Sequence, residues 1–255
     1  MEPLTLLFFL IIIASFLMET IDSSMGMMYG TILSPLLIGI GFPPADVIPA
    51  LLLSQTIGGL IGTFGHQRFG NASFSRKSKD LKVSIIILSL GILAVIAGAL
   101  LGVKVNQTFL SLYISILMLI MGIITLLRIR FKFSWGKILV VGVVSSFNKA
   151  LSGGGFGPIV TSGQVISGRS GKRSVGATTM SEVEICGASF LAWVIINHKL
   201  PHLNLMVALS IGAIFGGILG PYILSKVETS NRTFITIVGI LAIASGTYAL
   251  IKILL

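Results

Sequence analysis

The sequence predicts an all-α polytopic membrane protein made of two inverted-topology repeats, each a re-entrant broken-helix hairpin plus three transmembrane helices. Three observations lead to this prediction: an apolar composition, a segregated pattern of basic residues, and two glycine-containing breaks in apolar stretches. Of the 255 residues, 54% are hydrophobic and 10% are charged, whereas a soluble domain carries about 25% charged residues. About 20 apolar residues cross a bilayer core. The predicted spans are residues 47–65, 83–103, 108–127, 174–196, 203–224 and 233–251.

The charge pattern orients these spans. The net charge of +10 does not indicate a nucleic-acid partner, because the basic residues follow the positive-inside rule. Fourteen of the 18 Lys and Arg lie in four segments, 66–82, 128–137, 169–173 and 225–232. Segments 19–24 and 40–46 carry only acidic charges. We therefore expect a multi-pass protein of the cytoplasmic (cell inner) membrane, with the basic segments in the cytoplasm and both termini outside.

Two further segments are predicted to turn back within the membrane. With the basic segments on one side, residues 138–168 enter and leave on the cytoplasmic side, so we expect two half-helices bent near Gly153–Gly155. By the same count, residues 4–40 form a hairpin that opens to the outside and bends near Ser23–Gly26. Non-helical backbone at membrane depth is tolerated only where protein or a water-filled cavity surrounds it.

The chain is thereby divided into two repeats, residues 1–130 and 131–255. Each has one hairpin and three spans, and because three is an odd number the repeats have opposite orientations. A weak sequence echo at an offset of 127 residues, for example between Gln55 and Glu182, agrees with this division. Inverted repeats with broken helices near the midplane are typical of secondary transporters.

The hairpin bends are the candidate binding site. A helix N-terminus presents unbonded N–H groups and the positive end of the helix dipole, which favour an anion. We expect Ser152 to cap the returning helix of the second hairpin, Pro158 to lie in its first turn, and Ser23 or Ser24 to cap the first hairpin's returning helix. The candidate substrate-binding residues are Ser24, Gly26, Gly30, Gln55, Lys149, Ser152, Gly153, Gly154, Gly155, Thr161 and Gln164. For the polar side chains the alternative is a bond to backbone or to a neighbouring helix.

Three ionisable residues lie at membrane depth, where such groups are rare and usually functional. Lys149 either counters the charge of an anionic substrate or extends to the cytoplasmic interface. Glu182 is the preferred proton carrier, and Glu184 is a second candidate on another face of the same helix. The alternative for Glu182 is structural, a hydrogen bond to a neighbouring helix or a salt bridge with Lys149. The sequence leaves these alternatives open.

Signatures of enzymes and cofactors are missing from the sequence. It contains neither H-E-x-x-H nor GxxxxGK[ST]. His198 and His202 have a metal-like spacing, but they lie in a loop broken by Pro201. We therefore expect no catalytic residue, no metal and no cofactor. The expected partners are a small anion and the lipid bilayer, and the sequence does not define the oligomeric state.

Two segments resemble the TauE/SafE family of sulfite exporters and organosulfonate permeases: "GMMYGTILSPLLIGIGFPPADVIPALLLSQTIGGLIGTFGHQRFGN" (26–71) and "ALSGGGFGPIVTSGQVISG" (150–168). The matching positions are Gly30, Pro35–Leu37, Gly41–Pro44, His66, Arg68, Gly70, Asn71 and Gly153–Gly155. The second half departs from the family pattern, because "PIVTSGQ" stands where Pro-Leu-Leu would follow the glycines. His66 and Arg68, at the cytoplasmic end of a span, are a candidate gate or a cytoplasmic anchor.

The resemblance implies a secondary transporter, and an exporter in particular, of a small sulfur-containing oxyanion such as sulfite or a short organosulfonate. Alternating access would rock one repeat against the other around a midplane site, with Glu182 coupling protons. The alternatives are an anion channel, a carrier of a non-sulfur substrate and, less favoured, an intramembrane enzyme.

Overall fold

The computed structural model describes residues 3–127, 134–227 and 231–254. Within these residues the chain forms ten helices and no strand. The helices are α1 (Pro3–Met25), α2 (Tyr29–Gly39), α3 (Pro44–Arg68), α4 (Lys79–Gly102), α5 (Gln107–Leu126), α6 (Trp135–Ser152), α7 (Phe156–Ile166), α8 (Gly171–Asn197), α9 (Leu203–Lys226) and α10 (Asn231–Leu254). Among the described residues, five stretches are long and apolar enough to cross a membrane: Thr5–Met25, Pro44–Arg68, Lys79–Gly102, Gly171–Asn197 and Leu203–Lys226. The predicted all-α architecture with several membrane-length helices is confirmed.

Each of the six predicted spans coincides with one helix to within four residues at either end. Segment 19–24, which the charge pattern placed outside the spans, instead lies inside α1. Arg128, Arg130 and Lys132 lie outside the described residues, as does the predicted boundary between residues 130 and 131.

Only the second arm of each hairpin is half-length. The helices α2 and α7 have 11 residues each, which is about 16 Å at 1.5 Å per residue. Helix α1 has 23 residues, or about 34 Å, and α6 has 18. This differs from the predicted pairs of half-helices. Residues 4–25 contain no Gly or Pro, so nothing ends the first arm before its turn.

Glycines in the left-handed region make both turns. Gly26 and Gly153 each have a φ of 75°, and Gly155 has a φ of 77°. A residue with a Cβ is disfavoured there, whereas glycine is not. Met28, at the start of α2, also has a positive φ, of 112°. The turns therefore lie at or within two residues of the predicted bends.

The two hairpins cross with backbone against backbone. A Cβ on Gly30 would overlap the carbonyl oxygen of Gly153, and a Cβ on Gly157 would overlap that of Gly26. Such an approach requires residues without a side chain. The two contacts correspond to each other, because Gly26 and Gly153, like Gly30 and Gly157, occupy matching places in the two hairpins.

The two hairpins share one register. From their turns to the starts of α3 and α8, corresponding boundaries are 127 residues apart, the same separation as that of the hydrogen-bonded pair Gln55 and Glu182, whereas the starts of α4 and α9 are 124 residues apart. The matching boundaries are Met25 and Ser152, Tyr29 and Phe156, and Pro44 and Gly171. Packing follows the same correspondence, since α1 lies against α9 as α6 lies against α4, and α5 packs against α10.

Ion pairs mark one end of the bundle. Asp80, in the first turn of α4, pairs with Arg169 and, at 3.4 Å, with Arg173. Lys172 Nζ donates to the carbonyl of Ser225 at 3.1 Å. Burial lowers the pKa of Arg169 from its ordinary value, and the Asp80 carboxylate opposes this shift. Three of the four basic segments therefore meet at this end, which we call the basic end.

The opposite end joins the start of α3 to the end of α8. Asp46 Oδ1 lies 3.7 Å from the ammonium of Lys199, which follows α8. Towards the basic end of α3, His66 Nε2 lies 3.3 Å from Thr179 Oγ1 in the first half of α8. Helices α3 and α8 therefore run antiparallel.

Large apolar side chains cover the outside of the bundle. Phe64 is 74% exposed, Leu93 66% and Ile195 67%. Soluble monomers rarely expose apolar surface of this extent. Other polar and charged side chains, among them Lys149, Glu182 and Gln55, are buried inside the bundle, which is the arrangement that a lipid environment favours.

Gly30→Ala should destabilise the protein by roughly 1–3 kcal/mol, the usual cost of forcing extra volume into a packed site. The new Cβ would collide with the Gly153 carbonyl and push α2 away from the second hairpin. The free energy of unfolding, measured by SDS titration in mixed micelles, would show this. Gly187→Ala is the matched control, because its nearest neighbour would be 3.6 Å away. Equal stability of the two variants would contradict the crossing.

Candidate functional site

Lys149 lies near the end of α6 and is 1% exposed. Its ammonium donates to Glu182 Oε1 at 2.6 Å and to Gln55 Oε1 at 2.5 Å. Gln55 Nε2 also donates to Glu182 Oε1, at 3.0 Å. The three side chains come from α6, α8 and α3 and close a triangle. A buried charge is tolerated in such an interior when it is paired and hydrogen-bonded in this way.

This geometry excludes one of the interpretations that the sequence left open for Lys149, while its role in binding a substrate stays a prediction. The side chain does not extend to the interface; it pairs with Glu182, and Gln55 completes the arrangement. Three of the predicted site residues are thus in direct contact. The role of Glu182 as a proton carrier stays a prediction.

Two further acids face this triangle from α1. Glu19 is 2% exposed and Asp22 is 7% exposed, and the charges of Lys149 and Glu182 act on both. Together with Gln55 they form what we call the charged cluster. The sequence analysis missed both acids because it placed them outside the spans. The lack of a helix breaker before Met25, and the 127-residue separation of Asp22 from Lys149, could have identified them.

Asp22 also holds the start of α2. Its Oδ1 accepts the N–H of Tyr29 at 3.1 Å, and Met28, the N-cap residue, makes no side-chain capping bond. A carboxylate is favourable at this position because it meets the positive end of the helix dipole. The first hairpin's N-terminus therefore already has an anionic partner from its own chain.

The predicted serine caps of α2 are wrong. Ser23 donates to Glu19 Oε1 at 2.8 Å. Ser24 is half-buried and donates to the carbonyl of Ile21 at 3.0 Å. Both hydroxyls bond within α1, which is what hydroxyls usually do in membrane helices. Ser24 is therefore not directed at the charged cluster.

The turn of the second hairpin is held from both sides. Ser152 Oγ accepts the N–H of Gly154 at 3.3 Å, and Thr31 Oγ1 accepts that of Gly155 at 3.2 Å. Gly155 is the N-cap of α7 and lacks a side-chain capping bond. Ser152 thus closes the turn rather than capping α7, and the predicted cap is wrong. Pro158 lies in the first turn of α7 as expected.

Thr161 and Gln164 join α7 to the first hairpin and to α8. Thr161 Oγ1 lies 3.0 Å from the Gly26 carbonyl and 3.0 Å from Thr178 Oγ1. Gln164 Nε2 donates to Thr178 Oγ1 at 3.0 Å. Gln164 Oε1 and Ser162 Oγ have no partner among the described residues. This part of α7 therefore has unused hydrogen-bonding capacity in the interior.

Three other predicted residues lie outside the charged cluster. Glu184 is half-buried and accepts the hydroxyl of Ser84 at 2.9 Å, on the side of α8 that faces α4. His66 is fully buried, with Nδ1 3.2 Å from Asn71 Nδ2, and Arg68 is exposed. His66 therefore fits an anchor between helices better than one at the headgroups, while the gating role of His66 and Arg68 stays a prediction.

The described part of the chain offers no metal site and has a separate, mainly apolar cavity. No group of three or more His, Cys, Asp or Glu side chains is arranged there to hold a metal ion. A cavity of about 400 Å³ is lined by Lys82, Ile85, Ile86 and Trp135. It shares no lining residue with the charged cluster, and its walls are mainly apolar.

Lys149→Met should cost about 3–5 kcal/mol of unfolding free energy, because it leaves Glu182 ionised and unpaired in the interior. Adding Glu182→Gln to that variant should recover a large part of the loss. Lys199→Ala is the control, since the Lys199 side chain is largely exposed and lies 3.7 Å from its carboxylate partner, so its loss should cost about 1 kcal/mol or less. Strictly additive effects of the two central substitutions would contradict the pairing.

The chain is similar to known membrane transporters. The family model described as "Sulfite exporter TauE/SafE" matches residues 11–249. The "Probable membrane transporter protein YtnM" of Bacillus subtilis (strain 168) is 26% identical over 183 residues. That alignment covers 66% of this chain, which thus spans 58% of the relative's length. No solved structure matches the chain.

Both descriptions are of membrane transporters and neither is of an enzyme. The resemblance found in the sequence is therefore confirmed, and both descriptions agree with the prediction of a membrane transporter. The family match covers most of the chain, including both hairpin turns and every residue of the charged cluster. The chain belongs to the TauE/SafE family of membrane transporters.

Proposed function

We propose that this chain is a secondary transporter that exports a small sulfur-containing oxyanion, such as sulfite or a short organosulfonate. The observation that carries the proposal is Lys149, an ammonium group buried beside the crossing of two broken helices. An oxyanion presents the same charged oxygens as the Glu182 carboxylate, so it can replace that carboxylate on Lys149. The family description supports the sulfur-containing class.

Replacing Glu182 on Lys149 has an electrostatic consequence. The released carboxylate would be left unpaired in the interior, which is strongly unfavourable. A proton on Glu182 removes that penalty, so anion binding and protonation of Glu182 favour each other. This linkage supports proton-coupled transport.

The proposed substrate site lies around the turn of the second hairpin. The ammonium of Lys149 would supply charge, and Ser152, Thr161 and Gln164 would supply hydrogen bonds. The glycines of the two turns would let the anion approach the backbone. The Ser162 hydroxyl, which has no partner among the described residues, is a donor in this part of α7 that the protein itself does not use.

Alternating access is supported by the relation between the two halves. The 127-residue register and the antiparallel course of α3 and α8 are what two inverted repeats would produce. Ion pairs join neighbouring elements at each end of the bundle. We infer that rocking of one repeat against the other opens these ends in turn. The basic end would face the cytoplasm, with both termini outside.

Sulfite or a short sulfonate should raise the thermal stability of the purified protein, whereas carboxylates and chloride should not. A ligand at about 100 times its dissociation constant stabilises the folded form by about 2.7 kcal/mol. Differential scanning fluorimetry across this panel measures it. Gly154→Leu should abolish the shift, since even its Cβ would lie 3.0 Å from the Cα of Thr31. An equal response to every anion would contradict a sulfur-selective site.

The orientation can be tested by labelling introduced cysteines. The chain's single native cysteine, Cys186, is buried and should not react. Ser75→Cys places an exposed thiol in the basic segment 66–82, and Lys199→Cys places one at the opposite end. A membrane-impermeant maleimide should label the variant at position 199 in intact cells and the variant at position 75 only after permeabilisation. The parent chain should stay unlabelled. The reverse pattern would show that the orientation is inverted.

A further inference from the structure

The charged cluster contains more acids than bases. Glu19, Asp22 and Glu182 surround the single ammonium of Lys149, and all four are at least nine-tenths buried. If every carboxyl were ionised, two negative charges would be uncompensated in the interior. Burial disfavours the charged form of a carboxyl, and neighbouring like charges disfavour it further, so three carboxyls around one ammonium do not all stay ionised there. The cluster must therefore hold at least one proton or another cation.

The hydrogen bonds indicate which carboxyl is ionised in this conformation. Glu182 Oε1 accepts two N–H donors, from Lys149 and from Gln55. Both bonds suit a carboxylate, which only accepts. The charge of Lys149 is thus compensated by Glu182. The proton that the cluster must hold therefore lies on one of the acids of α1.

Asp22 is placed to carry that proton. It lies within side-chain hydrogen-bonding reach of Glu182, and two carboxyl groups can share a hydrogen bond only when one of them is protonated. Its Oδ1 already accepts the Tyr29 N–H, which leaves Oδ2 for the proton. Since Glu182 is matched by Lys149, the proton of this pair belongs to Asp22.

Glu19 gives an independent indication of a missing partner. Its Oε1 accepts the Ser23 hydroxyl, but its Oε2 is inaccessible and has no partner among the described residues. Glu19 lies one helical turn before Asp22, and their charges act on one another. A buried carboxyl oxygen without a donor is costly, and a proton on that carboxyl lowers the cost. Glu19 is therefore a second protonatable acid on the same face of α1.

We propose that Asp22 holds a proton while Glu182 is paired with Lys149, and that it passes this proton to Glu182 when a substrate anion takes Lys149. The O–H bond of Asp22 breaks and an O–H bond of Glu182 forms, so Asp22 becomes the carboxylate. Asp22 is then stabilised by the Tyr29 N–H and the N-terminus of α2. This inference rests on the proposed anion transport, which it extends with a route for the proton.

Among the residues that the structure describes, none near Asp22 adds a second base that competes for the proton. Those described titratable groups that face the cluster are Glu19 on α1, Tyr29 on α2, Lys149 on α6, and Glu182 and Cys186 on α8. His66 of α3 interacts with the backbone of Ser23 and lies beside Asn71 and Thr179. Helix α9 presents Gly216 to Glu19. The route therefore runs between carboxyls alone.

Infrared spectroscopy of the whole protein reconstituted in lipid at pH 7 tests the proposal. A protonated carboxyl has a carbonyl stretching band that ionised carboxylates lack. The chain has three aspartates, Asp22, Asp46 and Asp80, and the latter two are paired with Lys199 and with two arginines. Carbon-13 aspartate labelling should therefore shift a protonated-carboxyl band that belongs to Asp22. Asp22→Asn should remove that band, Asp22→Glu should retain one at a glutamate frequency, and the control Asp46→Asn should leave it unchanged.

Addition of methanesulfonate, whose own charge is constant near neutral pH, should move the band from the aspartate to the glutamate frequency, as carbon-13 glutamate labelling would show. A wild-type band that aspartate labelling does not shift overturns the proposal without any variant. An aspartate band that stays in place while methanesulfonate stabilises the protein overturns the transfer to Glu182. If no sulfur oxyanion binds but the aspartate band is present, the proposed substrate is wrong and the protonation of Asp22 is still supported.

Discussion

A lysine ammonium inside an apolar bundle determines how the central helices meet. Removing such a charge from water costs several kcal/mol, which only well-placed partners offset. Lys149 finds these partners in Gln55 and Glu182, so α3, α6 and α8 must converge at one point. The backbone carbonyl of Lys149 also accepts the N–H of Gly153 at 2.8 Å. The same residue therefore ends α6 and anchors the ion pair, which fixes the second hairpin's turn beside the charged cluster.

Close backbone contact makes this convergence possible. The first hairpin carries Asp22 and the second carries Lys149, and the two approach because glycines occupy the crossing. A larger residue at either contact would separate the hairpins and weaken the electrostatic interactions of the cluster. The packing at the crossing and the charge at the centre are thus parts of one arrangement, with the apolar outer surface left to the lipid.

The sequence predicts the helices well because membrane thickness and composition constrain them directly. It also predicts the turns, since Gly26 and Gly153–Gly155 interrupt otherwise apolar stretches. It fails where a helix continues past a charge: Glu19 and Asp22 were placed outside the spans, although they lie inside α1. The capping serines failed for a different reason, because hydroxyls in these helices bond to neighbouring groups of their own helix or turn. The contact between Gln55, Lys149 and Glu182 could not be chosen over its alternatives, because it depends on the packing of three distant segments.

The 127-residue spacing bears on the charges at the centre. Asp22 and Lys149 are 127 residues apart, as are Gln55 and Glu182. A symmetric homodimer of one half would place identical side chains at equivalent positions, two aspartates or two lysines, and could not form this ion-paired centre. Opposite charges at these positions require two halves that differ in sequence, and one chain that carries both halves meets this requirement.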